Sequence, residues 1–410
     1  MRVFIVSIGT FGDIKPSLSV ALRLKDKVDY LVFGSTPDNK GIIEKNGIKF
    51  QSLGNSMQQL INGFLTFKLK NFHDFILQQF DDTLKFFEKE KFDLILGHVL
   101  FFPGLTISQL HNTRYKIIAL LPHIYRSKYY PPIMVPFVNL AHILNQLFWL
   151  GMMPVFNLLF LKPINIYRKK IGLPRLRHFM QNQEPVEAII PIDKAILTIP
   201  EDIQKKHKYV QLPYWYDRDA DQHLGQLNDD LKKFLQTDEK VIYIGFGSGS
   251  YTINTKRKAD QFTNMISDVL DKTNWNLIVA RAFCQLINIK ENKRLKFIDS
   301  VSHSELFPLV DVVVHHGGIG TINIACRSGV AQVVKPFATD QYFWGNQVFK
   351  QKLGSRPLKN FDSKNFINAV KYALFNNGVQ ENVKKVKQEV LASNGIDDFI
   401  RLFENGIIAS

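Results

Sequence analysis

The sequence predicts an α/β protein of two halves, each a parallel sheet flanked by helices, facing each other across a cleft. Short β-rich apolar runs alternate with helical patterns, as right-handed βαβ units require. The alternation lapses after Pro122 and resumes at Val241. Glycine-rich turns stand just beyond strand-like runs in both halves, where open α/β sheets bind their ligands.

Strand-like runs fall at Val3–Ser7, Tyr30–Phe33, Leu94–Gly97 and Ile117–Leu121, short and apolar like buried parallel strands. Helical patterns at Pro16–Lys25, Asp38–Asn46 and Leu60–Lys89 lie between them. Two more strands are expected at Ala195–Ile199 and Tyr209–Leu212. The polar segment Tyr216–Glu239 reads as a linker ending in a short helix, Asp229–Leu235. The second series predicts strands at Val241–Ile244, Asn276–Val279, Leu295–Ile298, Val312–His315 and Gln332–Val334. Its helices are expected at Thr255–Leu270, Gly320–Arg327, Gln341–Lys350 and Ser363–Phe375. The expected division is therefore 1–215, a linker 216–239, 240–385, and C-terminal helices 386–410 packing back on the first half. No internal repeat or low-complexity tract interrupts it.

At 410 residues the chain is too long for one ordinary core. Its 45% hydrophobic content is that of a globular protein. Cys284 and Cys326 are too few for a disulfide framework, so a reducing cytoplasm is expected. The opening Met1–Ser7 runs into a glycine turn and reads as a strand rather than a signal peptide. Lys and Arg exceed Asp and Glu by 52 to 37, a net charge of +15. The basic residues are scattered and no nucleic-acid module is present, so no nucleic-acid partner is expected.

The most apolar stretch, Ile133–Leu161, contains Asn139, His142, Asn145, Gln146, Asn157, Pro136 and Pro154. A spanning helix needs about 20 nearly unbroken apolar residues. A bent amphipathic pair over a greasy pocket is the expectation, with a membrane-embedded helix at Ile143–Leu161 as the rival.

Four segments carry chemistry. His315-His316-Gly317-Gly318-Ile319-Gly320-Thr321 leads from a strand into a helix. Its glycines let backbone N–H groups face a ligand, and the helix dipole adds positive potential, making an anion site. The bland alternative is a glycine turn with a capping threonine. Phe337-Ala338-Thr339-Asp340-Gln341 opens the next helix; a carboxylate beside an amide suits sugar hydroxyls, or Asp340 is simply an N-cap. Gly245-Phe246-Gly247-Ser248-Gly249-Ser250 could offer Ser248 and backbone amides to a phosphate from the other side. In the first half, Gly9-Thr10-Phe11-Gly12-Asp13-Ile14-Lys15-Pro16 ends a strand, with Pro16 starting a helix. Asp13 there is either a general base facing the cleft or a helix cap.

In this order and spacing, these segments resemble the family 1 glycosyltransferases of GT-B fold. The similarity is greatest to sterol glucosyltransferases, rhamnolipid rhamnosyltransferases and glycopeptide-antibiotic glucosyltransferases. It rests on Gly9 to Pro16, His315 to Thr321 and Pro336 to Trp344, and extends from Met1 to about Leu353. The resemblance implies two Rossmann-like domains, the first binding an acceptor and the second a nucleotide sugar. It implies an inverting, metal-independent displacement with no cofactor beyond a UDP- or dTDP-sugar co-substrate, glucose and UDP being the defaults. His316, Gly318, Gly320 and Thr321 would hold the diphosphate with Ser248 assisting. Asp340 and Gln341 would hold the sugar, Ser300 and Val301 the base, and Asp13 would be the catalytic base. His98 stands where many relatives have an aspartate, and either orients Asp13 or the acceptor or merely ends a strand. Ile319 replaces a smaller residue and is expected to trim the donor pocket.

Acceptor-side candidates are Thr10, Phe11, His98, His123, Phe137 and Trp149. The aromatic excess between Pro122 and Pro174 points to an apolar hydroxyl acceptor: a lipid, sterol-like or polyketide-like molecule. The cluster Lys162, Arg168, Lys169, Lys170, Arg175 and Arg177 suggests peripheral contact with anionic lipid at the inner face of a membrane. A non-catalytic lipid- or nucleotide-binding relative and a sugar-nucleotide epimerase are the rivals.

Overall fold

The computed structural model describes residues 1–58, 68–133, 135–136, 140–217, 227–247, 256–281, 289–299, 301–337 and 340–408. Phe137, Ser248, Ser300 and Cys284 lie outside these residues, as do parts of the helical pattern expected from Leu60 and of the linker.

Two all-parallel sheets form the framework. The first has seven strands in the order β3-β2-β1-β4-β5-β6-β7. They are β1 (Arg2–Val6), β2 (Tyr30–Ser35), β3 (Lys49–Ser52), β4 (Leu94–His98), β5 (Arg114–Ile118), β6 (Ala188–Pro191) and β7 (Tyr209–Leu212). The second has five in the order β10-β9-β8-β11-β12: β8 (Val241–Gly245), β9 (Asn276–Ala280), β10 (Leu295–Ile298), β11 (Val312–His315) and β12 (Ala331–Val334). The central strands are buried along their length, so they read as unbroken apolar runs rather than alternating ones.

Chain order reverses between β1 and β4 in one sheet and between β8 and β11 in the other. Such switch points open a crevice at the strand carboxyl ends. Val6 pairs with Gly97 across the first and Gly245 with His315 across the second. The Asp13 turn, His98, Gly247 and the histidine-glycine turn thus all sit at the mouths of these crevices.

Five helices build the site and its frame: α1 (Phe11–Leu24), α2 (His142–Lys170), α3 (Ile319–Ser328), α4 (Asp340–Lys350) and α5 (Gly395–Glu404). The first corrects the sequence reading, because the helix begins at Phe11 and Pro16 lies inside it. Thr10 and Asp13 close the first turn, so a cap stronger than the proline signal sets the start. The expected strand Ala195–Ile199 is not one. The amides of Ile196 and Leu197 both bond the Asp193 carbonyl, curling that segment into a turn, and the strand is instead Ala188–Pro191. From His142 onward the apolar stretch forms one continuous helix rather than a bent pair, with a π-helical turn at Asn157–Leu161 in place of a break.

The last helix returns to the first half. Ile396, Phe399, Ile400 and Phe403 of α5 join the apolar cluster of Ile14, Leu18 and Trp215, and the rings of Trp215 and Phe399 meet edge to face at 5.1 Å. A Cβ on Gly395 would stand 1.9 Å from the Pro213 carbonyl, so the approach needs glycine. The ion pairs Arg23–Asp397 and Lys27–Glu404 flank this contact at the surface and add little to the apolar burial.

Asp193, buried after β6, ties α3 to the first sheet. Its Oδ2 accepts from Asn323 Nδ2 at 2.8 Å and from the Tyr214 amide at 3.1 Å, with Arg327 adding favourable charge. Burial nonetheless pushes its carboxyl above the usual carboxylate range. Asp193→Ala leaves the Asn323 amide and Arg327 without this partner and is expected to cost about 2–4 kcal/mol in chemical denaturation. A cost below about 0.5 kcal/mol would mean that water replaces the carboxylate.

Candidate functional site

A cavity of about 330 Å³ opens where the two halves meet, within the range of small-molecule sites. The first half supplies Asp13, His98, His123 and an apolar wall that includes Trp149, Phe156 and Phe160. The second half supplies Ile319 and Asp340. The cavity thus gathers Asp13, His98, His123, Trp149 and Asp340, five residues read as functional from sequence. Ile319 faces this cavity as well, where its side chain stands across from the residues of the first half.

Asp13 is both cap and cavity residue. Its Oδ2 accepts from the Thr10 amide at 2.8 Å and the Thr10 hydroxyl at 3.1 Å. Both bonds converge on one oxygen, and the carboxylate is part of the cavity wall. Thr10 is spent on this cap, and Phe11, 40% exposed, is not part of the cavity wall. Gly9 has φ +155°, and a Cβ there would fall 2.3 Å from Asp13 Oδ2, so the carboxylate needs glycine beside it.

Two buried histidines share the cavity. Burial holds His98 below its ordinary pKa against the opposing pull of Asp13, and its Nδ1 has no hydrogen-bond partner. His123 follows β5. Burial pushes it down to about 3, its ring lies 4.4 Å from Tyr130 and 4.6 Å from Phe343 of α4, and its Nδ1 is likewise unpartnered. Trp149 donates Nε1–H to the Tyr130 carbonyl at 2.9 Å, so what it offers the cavity is its apolar face.

The histidine-glycine turn is built by a division of labour. His315 is fully buried; its Nδ1 accepts from the Gly317 amide at 3.1 Å, so Nε2 carries the proton and bonds Gln332 Oε1 at 3.0 Å. It shapes the turn from within and cannot reach a ligand. His316 lies against Gly247 on one side and Gly318 on the other: Cβ atoms built there would meet its ring at 3.3 and 2.6 Å. Burial, then the charge of His303, hold its pKa at about 4, so the ring is neutral near pH 7. Gly317 has φ +99°, with its open side against Val334 and the Gln341 backbone. The first intrahelical bond of α3 runs from the Ile322 amide to the Gly318 carbonyl. The amides of Ile319, Gly320 and Thr321 therefore point out of the helix end, an anion-binding arrangement.

Asp340 opens α4 and reaches the cavity. Gln341 Oε1 accepts from the Phe337 amide at 2.8 Å, which fixes the side chain at the start of α4. Val301, half-buried, precedes the Ser302 cap of a short helix; Ser300 and Ser248 lie outside the described residues. Lys335, missed in the sequence reading, directly follows β12. Burial lowers its ammonium to about 8, and it lies over the rings of Phe337 and Phe361. No local motif marks it.

His123, His315 and His316 stay neutral in the fold where an unfolded histidine titrates near 6.5. Above about pH 6.5 neither state is protonated and they contribute nothing; as pH falls below it, only the unfolded chain gains protons. Stability is therefore expected to fall from about pH 6.5 downward, with these rings adding an uptake of about three protons on unfolding near pH 5. Denaturation free energies that stay flat across that window would contradict it.

Comparison with known proteins agrees with this geometry. The C-terminal domain model of erythromycin biosynthesis protein CIII-like proteins matches residues 269–398. The sterol 3-beta-glucosyltransferase of Saccharomyces cerevisiae is 23% identical over 98% of this chain and 35% of its own length. That of Yarrowia lipolytica is 24% identical over 97% of the chain and 28% of its own. The chain thus spans about a third of the length of the curated relatives it matches. Among solved structures, the glycotransferase of kitacinnamycin aligns with a TM-score of 0.74 at 18% identity over 98% of both chains. The calicheamicin glycosyltransferase CalG4 aligns at 0.73 and 14% identity, over 99% of this chain and 98% of its own.

Proposed function

Since this chain belongs with the family 1 glycosyltransferases of GT-B fold, we propose that it moves a sugar from a nucleoside diphosphate donor to the hydroxyl of an apolar acceptor. The observation that carries this reading is the shared cavity, in which Asp13 from one half meets Ile319 and Asp340 from the other beneath an apolar wall.

In this mechanism Asp13 Oδ1 takes the acceptor proton as the acceptor oxygen attacks the anomeric carbon from the face opposite the leaving group. The carbon–oxygen bond to the diphosphate breaks, and the configuration inverts. The departing charge is met by the outward amides of Ile319, Gly320 and Thr321, by neutral His316 and by the α3 dipole, with Ser248 as a further donor. Asp340 and the Gln341 amide hold the sugar hydroxyls, and Ser300 and Val301 flank the base. His98 and His123 offer the only imidazole nitrogens among the described residues of the cavity wall, and serve to orient the acceptor hydroxyl. The apolar wall selects the rest of the acceptor, at roughly 1.5–3 kcal/mol for each large side chain fully covered. UDP-glucose is the default donor, with dTDP-sugars as the alternative; the similarity to sterol 3-beta-glucosyltransferases supports glucose as the sugar. The scarcity of cysteine, two in 410 residues, supports a reducing cytoplasm as the place of the reaction.

Incubation with a panel of UDP- and dTDP-sugars and a cell lipid extract, read by mass spectrometry, tests this. New glycosides of apolar alcohols are the expected products. Tight donor binding without transfer or hydrolysis of any donor would favour a non-catalytic relative.

A further inference from the structure

The helix α2 has two working faces. One is in the protein: Trp149, Phe156 and Phe160 line the cavity, while Asn145, Ile164 and Tyr167 are buried nearby. The other is bare. Seven of the fifteen large apolar side chains left exposed among the described residues belong to this one helix, including Ile143 at 66%, Leu147 at 56%, Leu150 at 70% and Leu158 at 58%. An apolar patch this concentrated on a soluble surface marks an interaction site.

The stripe is kept straight by the π-helical turn. Leu150, Pro154, Leu158, Lys162 and Ile166 are all exposed and recur every four residues. In a regular α-helix each four-residue step drifts by about 40°, which would carry Ile166 round toward the protein. The wider turn at Asn157–Leu161 takes up much of that drift. The Leu158 carbonyl in this turn accepts from His73 Nε2 at 2.9 Å. The stripe then ends in cations, with Lys162, Lys169 and Lys170 exposed and Arg175 and Arg177 exposed just beyond.

Charge identifies the occupant. From Leu94 to Gln183 the chain carries ten Lys or Arg and no Asp or Glu. At the other end of α2, the exposed Tyr129 packs edge-on against His142 at 4.6 Å, an amphipathic ring of the kind enriched at membrane interfaces. α2 is long and apolar enough to cross a bilayer by length and composition. Yet its inner face is pinned: Trp149 bonds the Tyr130 carbonyl, Asn145 the Lys128 carbonyl and Arg168 the Pro174 carbonyl. A helix held along one side can lie on a membrane but not span it.

We propose that α2 docks in the plane of an anionic bilayer, leucines among the acyl chains and lysines on the headgroups. The acceptor cavity then lies one helix diameter, about 10 Å, above the lipid. What this surface is for rests on the apolar-acceptor reading; whether it binds lipid does not.

The test is co-sedimentation of the full chain with phosphatidylcholine vesicles, with and without phosphatidylglycerol. Binding to the anionic vesicles, weaker with salt and weaker on neutral ones, is expected. Leu147→Glu with Leu150→Glu is expected to lower partitioning at least about tenfold on both kinds of vesicle. Lys169→Glu with Lys170→Glu should lower it comparably on anionic vesicles only. None of the four residues touches the cavity, so both variants should melt like wild type and keep its donor hydrolysis rate. Wild type that stays in the supernatant overturns the proposal, as does partitioning indifferent to the leucine changes. Concentration-dependent dimerisation abolished by Leu147→Glu, without vesicle binding, assigns the face to a second copy and overturns it too. Vesicle binding by a chain that transfers no sugar would leave the docking intact and refute the transferase reading alone.

Discussion

Asp13→Asn is expected to lower turnover by about 10²–10⁴-fold, the usual worth of a positioned general base, with donor affinity nearly unchanged. The prediction is sharp because the carboxylate has two duties on separate oxygens. Oδ2 closes the first turn of α1 through Thr10, and an asparagine carbonyl can accept the same two bonds. What asparagine cannot do is take a proton at the cavity. The stability cost should therefore be small, below about 1 kcal/mol, while kcat collapses. Thr10→Ala is the counterpart: it removes one bond to Oδ2 but leaves the base, so a modest loss of stability with most turnover retained is expected. If Asp13→Asn instead loses donor affinity and stability together, Asp13 is a cap and nothing more. Donor affinity from calorimetry, kcat from product formation and midpoint from thermal melting separate these outcomes.

The second large effect is expected at the anion turn. Gly318 has an ordinary φ of −67°, so alanine there meets no backbone strain. Its new Cβ would stand 2.6 Å from His316 Nε2, which must move, and His316 has Gly247 behind it. Gly318→Ala is thus expected to displace the donor ring and crowd the amides of α3, lowering kcat/KM by about 10²-fold, mostly through donor binding. Its melting temperature should stay close to wild type. A wild-type KM for the donor would show that the diphosphate does not bind at this turn.

The framework was legible because parallel strands buried on both faces leave apolar runs between turn residues. Tyr209–Leu212, Leu295–Ile298 and Val312–His315 stand where they were read. The misreadings share one cause, a local signal overruled by a bond the local sequence does not announce. Pro16 marked a helix start, but the Thr10–Asp13 cap set it five residues earlier. Ala195–Ile199 has strand composition, but the Asp193 carbonyl turns it, while Ala188–Pro191 ends in a proline that resembles a break. The edge strand Lys49–Ser52 has a single apolar residue, Phe50, and left no pattern to find.

The site divides in the same way. Asp13, His98 and Asp340 could be singled out because each sits at or just after a strand end, and His123 and Trp149 because they lie in the aromatic-rich stretch from Pro122 to Pro174. That they line one cavity is a tertiary fact. The roles of the two adjacent histidines were equally hidden, since only the Gln332 partner on β12 reveals that His315 is internal scaffolding. The π-helical turn of α2, which keeps one face on the cavity and the other bare, has no signature in the apolar sequence that forms it.

A crystal structure with a nucleoside diphosphate and a medium-chain alkyl alcohol tests the central claim most directly. Diphosphate oxygens are expected on the amides of Ile319, Gly320 and Thr321, and the alcohol hydroxyl on Asp13 Oδ1, with its chain against Trp149, Phe156 and Phe160. A diphosphate bound away from α3, or an alcohol bound outside the shared cavity, would contradict it.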